Sequence, residues 1–183
     1  MKYISTRKNK EKVSFKEAVI NGLSKNQGLY SPESIPQLAT SFFDEIENLE
    51  DKEIAFRVLQ PFVKESLTDE QLKTIIAETI NFPTPVVLVE KDIYSLELFH
   101  GPTQAFKDVG ARFMSRCLSH FYADKKEEVT VLVATSGDTG SAVANGFYGL
   151  PGVAVKILFP KGKVSPYQEF QMTGLGKNIK AIE

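Results

Sequence analysis

The sequence predicts an α/β fold in which a parallel sheet is flanked by helices, preceded by a mainly helical N-terminal segment. Val129–Ala134 and Val153–Phe159 are apolar runs of strand length, and a helical pattern separates them. Strands that alternate with helices are typical of a parallel sheet with right-handed crossovers. Up to about residue 81, in contrast, apolar residues recur at the three- and four-residue spacing of helices.

The N-terminal segment contains several signals for the start and end of a helix. Ser14 and Thr68 each stand three positions before a Glu or Gln, which is the capping-box pattern, and Gly22 can end the first of these helices. A further helix is expected from about Asp51. Pro61 should kink or end that helix, because proline removes one of its hydrogen bonds.

The character of the sequence changes at Pro83 and Pro85, which enforce extended backbone. We therefore predict a division into a mainly helical segment, residues 1–82, and an α/β portion, residues 83–183. The α/β portion begins with two predicted strands. A helix of about four turns is then expected to begin at Lys107 and to bury one apolar face.

The predicted strands differ in their apolar patterns. Val86–Glu90 and Ile93–Phe99 are the first two, and residues 178–183 form the last. The uninterrupted apolar character of Val129–Ala134 is typical of a strand that is buried on both faces, and Val153–Phe159 has the same character. We therefore expect both faces of these two strands to be covered.

Composition argues against several classes of protein. The chain has 183 residues, 42% of them hydrophobic and 25% charged, as in globular proteins that bury a core. A formal net charge of −1 gives no reason to expect a nucleic-acid or acidic-membrane partner. No apolar run reaches the roughly 18 residues that a membrane span needs. The single cysteine, Cys117, excludes an intrachain disulfide and fits a reducing compartment, so we expect a cytoplasmic protein.

A turn-rich stretch, His100–Asp108, presents Lys107 at the start of a predicted helix and is called the lysine turn below. A lysine becomes a nucleophile or a Schiff-base partner when its surroundings hold it beside an electrophile and lower its pKa. Phe106 supplies an apolar neighbour, and Asp108 could orient or cap the helix. The alternative is a solvated lysine in the first turn of a helix, which leaves the density of turn-forming residues unexplained.

A second stretch, Thr135–Gly140, lies between a predicted strand and a helix and is called the cradle loop. Glycine allows a ligand to approach the backbone closely, and the N–H groups of a helix's first turn favour an anion. Thr135, Ser136 and Thr139 can add hydroxyl donors to a carboxylate or a phosphate. The alternative is a loop that only caps its own helix, with Asp138 as the cap.

Other chemistries have less support in the sequence. The two histidines, His100 and His120, and a lone cysteine do not provide the ligand cluster of a zinc site. The glycine patterns of phosphate-binding and dinucleotide-binding loops are absent, as is the Gly-x-Ser-x-Gly pattern of serine hydrolases. Lys161 and Lys163 lie in a basic loop that, with Ser165 and Gln168 close behind, could reach a substrate phosphate. The alternative there is a solvated loop.

Together, these stretches resemble the threonine synthase family of pyridoxal-phosphate enzymes, which have the tryptophan-synthase-β-like fold. The similar segments are Leu98–Asp108, Ala134–Gly140, Gly146–Pro151, Pro160–Pro166 and Gly28–Tyr30. The resemblance extends over essentially the whole chain but only over the first part of a family member. It implies a chain cut before the second half of the cofactor cleft, which by itself would turn over substrate poorly or not at all.

The resemblance implies a role for each candidate residue. Lys107 would form the Schiff base with pyridoxal phosphate, and Asp138 would bind the ring hydroxyl of this cofactor, where related enzymes have asparagine. The residues expected to bind the substrate are Thr135, Ser136, Gly137, Thr139, Lys161 and Lys163. Those in the cradle loop would hold the α-carboxylate, and the two lysines could reach a phosphate. No metal is implied.

The implied reaction converts O-phospho-L-homoserine and water to L-threonine and phosphate, a carbon–oxygen lyase reaction of threonine biosynthesis. Lys107 would remove protons from Cα and then Cβ while the cofactor takes up the electron pair. Two alternatives remain open: another pyridoxal-phosphate enzyme of this fold, of the cysteine-synthase or serine/threonine-dehydratase type, and a non-catalytic binding module. The cations at Lys161 and Lys163 favour a phosphate-bearing substrate over O-acetylserine or serine.

Overall fold

The computed structural model describes residues 1–7, 11–123 and 127–183. The chain divides into two compact units, Met1–Ile80, the N-terminal unit, and Asn81–Glu183, the α/β unit. Both the lysine turn and the cradle loop belong to the α/β unit. Within the described residues, no helix combines the length and apolar character that crossing a membrane requires.

The N-terminal unit is rich in short helices. They are α1 (Phe15–Asn21), α2 (Thr40–Glu45), a 3₁₀ helix (Ile46–Asn48), α3 (Asp51–Val63) and α4 (Asp69–Thr79). Both predicted capping boxes are present, because the hydroxyls of Ser14 and Thr68 each accept the N–H of the residue three positions on. Gly22 ends α1 with a φ of 67°. Pro61 does not end α3 at its own position, since the helix continues to Val63.

The N-terminal unit also contains a small antiparallel sheet that the sequence did not predict. Its strands are β1 (Tyr3–Ser5), β2 (Lys12–Val13) and β3 (Tyr30–Pro32). Their order is β2-β1-β3, so Tyr3 pairs with Val13 on one side and with Pro32 on the other. Strands this short show no alternation of apolar and polar residues, and the prediction of a mainly helical segment therefore missed them.

The α/β unit has the predicted fold class. Its strands are β4 (Val86–Glu90), β5 (Ile93–Leu96), β6 (Val129–Ala134), β7 (Val153–Leu158) and β8 (Ile179–Ile182). Its helices are α5 (Lys107–Tyr122), α6 (Asp138–Phe147) and α7 (Pro166–Thr173). Strands β6, β7 and β8 form a parallel sheet in that order, which confirms the α/β prediction. Strands β4 and β5 pair antiparallel with each other in a separate sheet.

Within this chain, the parallel strands are covered on one face only, whereas two covered faces were expected. In β7, Val155 and Ile157 are fully buried, whereas Lys156 and Leu158 are exposed. In β6, at the edge of the sheet, Leu132 is 67% exposed. An apolar run reports the hydrophobicity of a strand. It cannot report coverage, because coverage depends on which elements pack above and below.

Helices α5 and α6 approach closely through small residues. A Cβ added to Gly146 of α6 would lie 3.2 Å from the carbonyl group of Ala111 in α5. Arg116 of α5 donates a hydrogen bond to the carbonyl oxygen of Gly146 at 2.5 Å. This contact holds together the two helices whose first residues are Lys107 and Asp138.

Candidate active site

A polar cleft of about 370 Å³ lies between the lysine turn and the cradle loop. Its lining residues are Lys107, Ala134, Thr135, Ser136, Gly137, Asp138, Thr139 and Gln168. The cradle loop follows the carboxyl end of β6, and ligands of α/β sheets bind at this end of parallel strands. Two stretches that the sequence singled out separately therefore share one cavity.

Lys107 is partly buried at the first position of α5. Its Nζ lies 4.7 Å from the centre of the Phe106 ring, so the ammonium group is held against an aromatic face. Across the part of the chain that the structure describes, no carboxylate or other acceptor pairs with this Nζ. The amine is thus available to a molecule in the cleft.

The buried carboxylate of Asp108 anchors the lysine turn. It accepts hydrogen bonds from the N–H of Thr103 at 2.9 Å and from the Thr103 hydroxyl at 2.5 Å. Asp108 is 1% exposed, and a Cβ added to Gly101 would lie 2.5 Å from its Oδ2. Glycine at position 101 therefore leaves room for this carboxylate. Asp108 orients the turn that leads into α5, directly beside Lys107.

Thr135 holds the cradle loop together. Its Oγ1 accepts hydrogen bonds from the N–H groups of Gly137 at 3.1 Å and Gly140 at 3.0 Å. It also lies 3.3 Å from the Gly137 carbonyl oxygen, to which it donates. The hydroxyls of Ser136 and Thr139, in contrast, have no hydrogen-bond partner among the described residues. These two exposed hydroxyls are the ones free to bind a ligand.

Asp138 does not cap its own helix. The N-cap of α6 is Gly137, which has no side chain and adopts φ 155° and ψ −110°, a conformation that other residues rarely adopt. Asp138 instead accepts a hydrogen bond from Nε2 of Gln168 at 2.6 Å. The N–H groups of Asp138 and Thr139, at the start of α6, have no acceptor within the described ranges. Beside the cleft, such groups favour an anion.

Gln168 lines the cleft, whereas the sequence placed it only close behind the basic loop of Lys161 and Lys163. It lies in the first turn of α7, where Ser165 is the N-cap and accepts the Gln168 N–H at 3.3 Å. The amide atoms of Gln168 lie 2.8 to 3.0 Å from the place that a Cβ on Gly137 would occupy. The sequence does contain the cap signal for α7. It contains no signal that α7 reaches the cradle loop.

Lys161 and Lys163 lie outside the lining of the cleft. Both side chains are exposed, and Nζ of Lys161 lies 3.7 Å from Oε2 of Glu183. Both residues belong to the loop between β7 and α7, which leads to Gln168. A contact of these lysines with a substrate phosphate stays a prediction.

Several known proteins are similar to this chain in sequence and in fold. A family model described as "Threonine synthase N terminus" matches residues 2–80. Threonine synthase from Escherichia coli (strain K12) is 46% identical over 182 residues, which are 100% of this chain and 42% of that protein. The crystal structure of threonine synthase from Escherichia coli matches with a TM-score of 0.92, over 100% of this chain and 42% of that one. Over its whole length, the chain is similar to the N-terminal part of threonine synthases.

Further threonine synthases show the same similarity. The one from Haemophilus influenzae is 46% identical over 94% of this chain and 40% of that protein. The X-ray crystal structure of PLP-bound threonine synthase from Brucella melitensis has a TM-score of 0.90 at 36% identity, over 99% of this chain and 40% of that one. The chain thus spans about two fifths of the length of these threonine synthases. The family model covers the N-terminal unit, whereas the pairwise matches also cover the cleft.

Proposed function

We propose that this chain forms the lysine-bearing part of a threonine synthase active site. The proposed reaction uses pyridoxal phosphate to convert O-phospho-L-homoserine and water to L-threonine and phosphate. The observation that carries the proposal is the shared cleft of Lys107 and the cradle loop. Similarity to threonine synthases over the whole chain supports the reaction, and the relative described as PLP-bound supports the cofactor.

The residues of the cleft fit pyridoxal phosphate. Lys107 offers an amine that has no hydrogen-bond acceptor or carboxylate partner among the described residues, and a volume of about 370 Å³ is in the range of small-molecule sites. Lys107 would hold the cofactor, and Asp138 would meet its ring hydroxyl. The bound cofactor supplies an electron sink for the pair that remains on carbon when a proton leaves.

The cradle loop would bind the α-carboxylate of the substrate. Ser136 and Thr139 offer unpaired hydroxyls, and the first N–H groups of α6 offer further donors. Thr135 would act inside the loop, because its oxygen is already bonded to two N–H groups of the loop. Gly137 gives access to the backbone. Lys161 and Lys163 remain the candidates for the substrate's phosphate.

Lys107 would carry the protons. With the carboxylate held by the loop, its amine would take the proton from Cα and then the proton from Cβ. Phosphate would leave from Cγ, protons would return to Cγ and to Cα, and water would add at Cβ, so that the products are L-threonine and phosphate. Two anchored stretches, the turn held by Asp108 and the loop held by Thr135, would keep substrate and amine in reacting positions, which lowers the entropic part of the barrier.

A cytoplasmic location with a small-molecule substrate is part of the proposal. The only cysteine, Cys117, is a buried free thiol, which suits a reducing compartment. The net charge of −1 supports no nucleic-acid partner.

The test of the cofactor is the visible absorption that pyridoxal phosphate acquires when a lysine binds it. The parent protein should show this band, and Lys107→Ala should abolish it because the amine is gone. Lys180→Ala is the matched control, since Lys180 is exposed on β8 outside the cleft, and it should keep the band. A parent protein without the band would contradict the proposed cofactor.

The test of the substrate uses the loaded protein. O-phospho-L-homoserine should perturb the band more strongly than serine or O-acetylserine, and Ser136→Ala should weaken the response to all three, because each has an α-carboxylate. Equal responses to the three compounds would favour another enzyme of the same fold.

A further inference from the structure

We propose that Gln168 is a positioning residue of the cleft, whose side-chain amide fixes the carboxylate of Asp138 beside the bound ligand. The inference rests on the proposed function, because its ligand is the proposed cofactor. It adds a residue from α7 to a site that the lysine turn and the cradle loop otherwise form.

Both ends of the Gln168 amide are engaged. Nε2 donates to Oδ1 of Asp138 at 2.6 Å, and Oε1 accepts from the hydroxyl of Ser165 at 3.2 Å. The two ends cannot be exchanged, since Oε1 would then face the carboxylate and two acceptors would meet. The amide therefore has one orientation, which is set by its two neighbours.

The helix that carries Gln168 is also fixed against the cradle loop. The N–H of Gln168 donates to Oγ of Ser165, the N-cap of α7. One turn further on, Met172 is 1% exposed, and its sulfur lies 2.5 Å from the place of a Cβ on Gly140. The amide of Gln168 comes within 2.8 Å of the place of a Cβ on Gly137. Gly137, the N-cap of α6, and Gly140 in its first turn thus make room for two side chains of α7.

The pair leaves hydrogen-bonding capacity for a ligand. Nε2 of Gln168 carries two protons, and one of them points to Asp138. Oδ2 of Asp138 has no partner in the ranges that the structure describes. Both residues line the cleft, where Lys107 is the other charged side chain. A ligand there meets one N–H donor and one carboxylate oxygen, and the bond between the pair keeps Asp138 from turning away.

Three variants separate this role from a general effect on folding. Gln168→Glu keeps the size of the side chain but places a second carboxylate against Asp138. Gln168→Met keeps the length and removes both hydrogen bonds. Gln37→Glu adds the same charge at an exposed glutamine of the N-terminal unit and is the matched control.

The affinity for pyridoxal phosphate is measured from the visible band, relative to the parent at the same pH. For Gln168→Glu we expect a loss of roughly tenfold at about pH 8, because the carboxylates repel, and a smaller loss at about pH 5.5, where the pair shares a proton. Gln168→Met should lose roughly fivefold in affinity at both pH values, because of its two lost hydrogen bonds only the one to Asp138 positions the ligand. Gln37→Glu should bind like the parent. The inference is overturned if Gln168→Glu binds pyridoxal phosphate as tightly as the parent does, or if its loss of affinity is the same at both pH values.

The contact itself is tested without ligand. The midpoint of thermal unfolding of Gln168→Glu should lie below that of Gln37→Glu at about pH 8 and approach it at about pH 5.5. Equal midpoints at both pH values mean that the contact does not form, which also overturns the inference. If the parent protein does not bind pyridoxal phosphate but the midpoints differ as expected, the proposed cofactor is wrong and the Gln168–Asp138 contact stands. If the parent binds it and the Gln168 variants bind equally well, only the inference fails.

Discussion

Thr103 donates both its N–H and its hydroxyl to the buried carboxylate of Asp108, at 2.9 Å and 2.5 Å. The two hydrogen bonds close the lysine turn onto the first turn of α5. Hydrogen bonds to a charged acceptor are about twice as strong as neutral ones. The place of Lys107 in the cleft therefore depends on its immediate neighbour in the sequence.

Asp108→Asn should loosen this turn. The substitution keeps the shape of the side chain, removes the charge and turns one acceptor into a donor that faces Thr103. We expect the free energy of unfolding to fall by about 1.5–3 kcal/mol, measured by urea denaturation. Asp44→Asn, at an exposed position of α2, should change it by less than about 0.5 kcal/mol. Equal urea midpoints for the two variants would show that the turn is not anchored in this way.

Gly137→Ala and Gly110→Ala should change stability in opposite directions. At position 137 a Cβ meets the amide of Gln168 at 2.8 to 3.0 Å, and φ is 155°. We expect a loss of about 1–3 kcal/mol from strain and displacement. At position 110, inside α5, nothing lies within 4 Å of the added Cβ, so alanine should stabilise the helix by about 0.5–1 kcal/mol. Both variants are compared with the parent by thermal unfolding. A Gly137→Ala variant more stable than the parent would contradict the observed approach of α7 to the cradle loop.

Thr135→Val and Thr139→Val each remove one hydroxyl from the cradle loop, with different expected effects. Valine at position 135 leaves the N–H groups of Gly137 and Gly140 without their shared acceptor, so stability should fall by about 1–3 kcal/mol. Valine at position 139 removes a hydroxyl without a partner in the described structure, and stability should change by less than about 0.5 kcal/mol. Its effect should appear in weaker binding of the substrate's carboxylate. A large loss of stability for Thr139→Val, with little change for Thr135→Val, would contradict the roles assigned to the two hydroxyls.

Cys117 should react slowly with alkylating reagents in the folded protein. Burial raises the pKa of its thiol from 9.0 to about 12, because the buried site disfavours the charged thiolate. The rate of labelling, followed by mass spectrometry, should therefore stay far below that of an exposed thiol at every pH between about 7 and 9, because only a very small fraction of the buried thiol is ionised. In denaturant the rate should increase to that of an exposed thiol at the same pH. Fast labelling of the folded protein that follows an ordinary thiol titration would contradict the burial.

The same pKa has a consequence for stability in alkali. Between the pKa of the unfolded thiol, 9.0, and that of the folded one, about 12, the unfolded state holds fewer protons than the folded state. The stability contributed by this group is complete below pH 9.0 and falls as the pH rises above it. Cys117→Ala should remove this part of the alkaline loss, measured as the urea midpoint against pH.

Features created by near neighbours in the chain were predictable. The capping boxes at Ser14 and Thr68 act over three positions, and both formed as expected. Lys107 and the cradle loop stood out because turn formers, glycines and hydroxyls are concentrated in two short stretches, and both stretches line the cleft. The fold class followed from the alternation of strand and helix patterns, which is also a local property.

Features created by distant parts of the chain were not predictable in the same way. Gln168 reaches Asp138 from thirty residues away, and no spacing rule links these positions. Thr135 and Thr139 carry the same hydroxyl group. Packing directs the Thr135 hydroxyl to the backbone of the cradle loop and leaves the Thr139 hydroxyl without a partner among the described residues. Leu132 belongs to an apolar run but remains exposed, because only the arrangement of the sheet decides which face is covered. Residue types and short-range spacing thus predicted the two capped helix starts, the fold class and Lys107 as a candidate site residue. The partner of each polar side chain was decided by tertiary packing, since hydrogen bonds depend on distance in space.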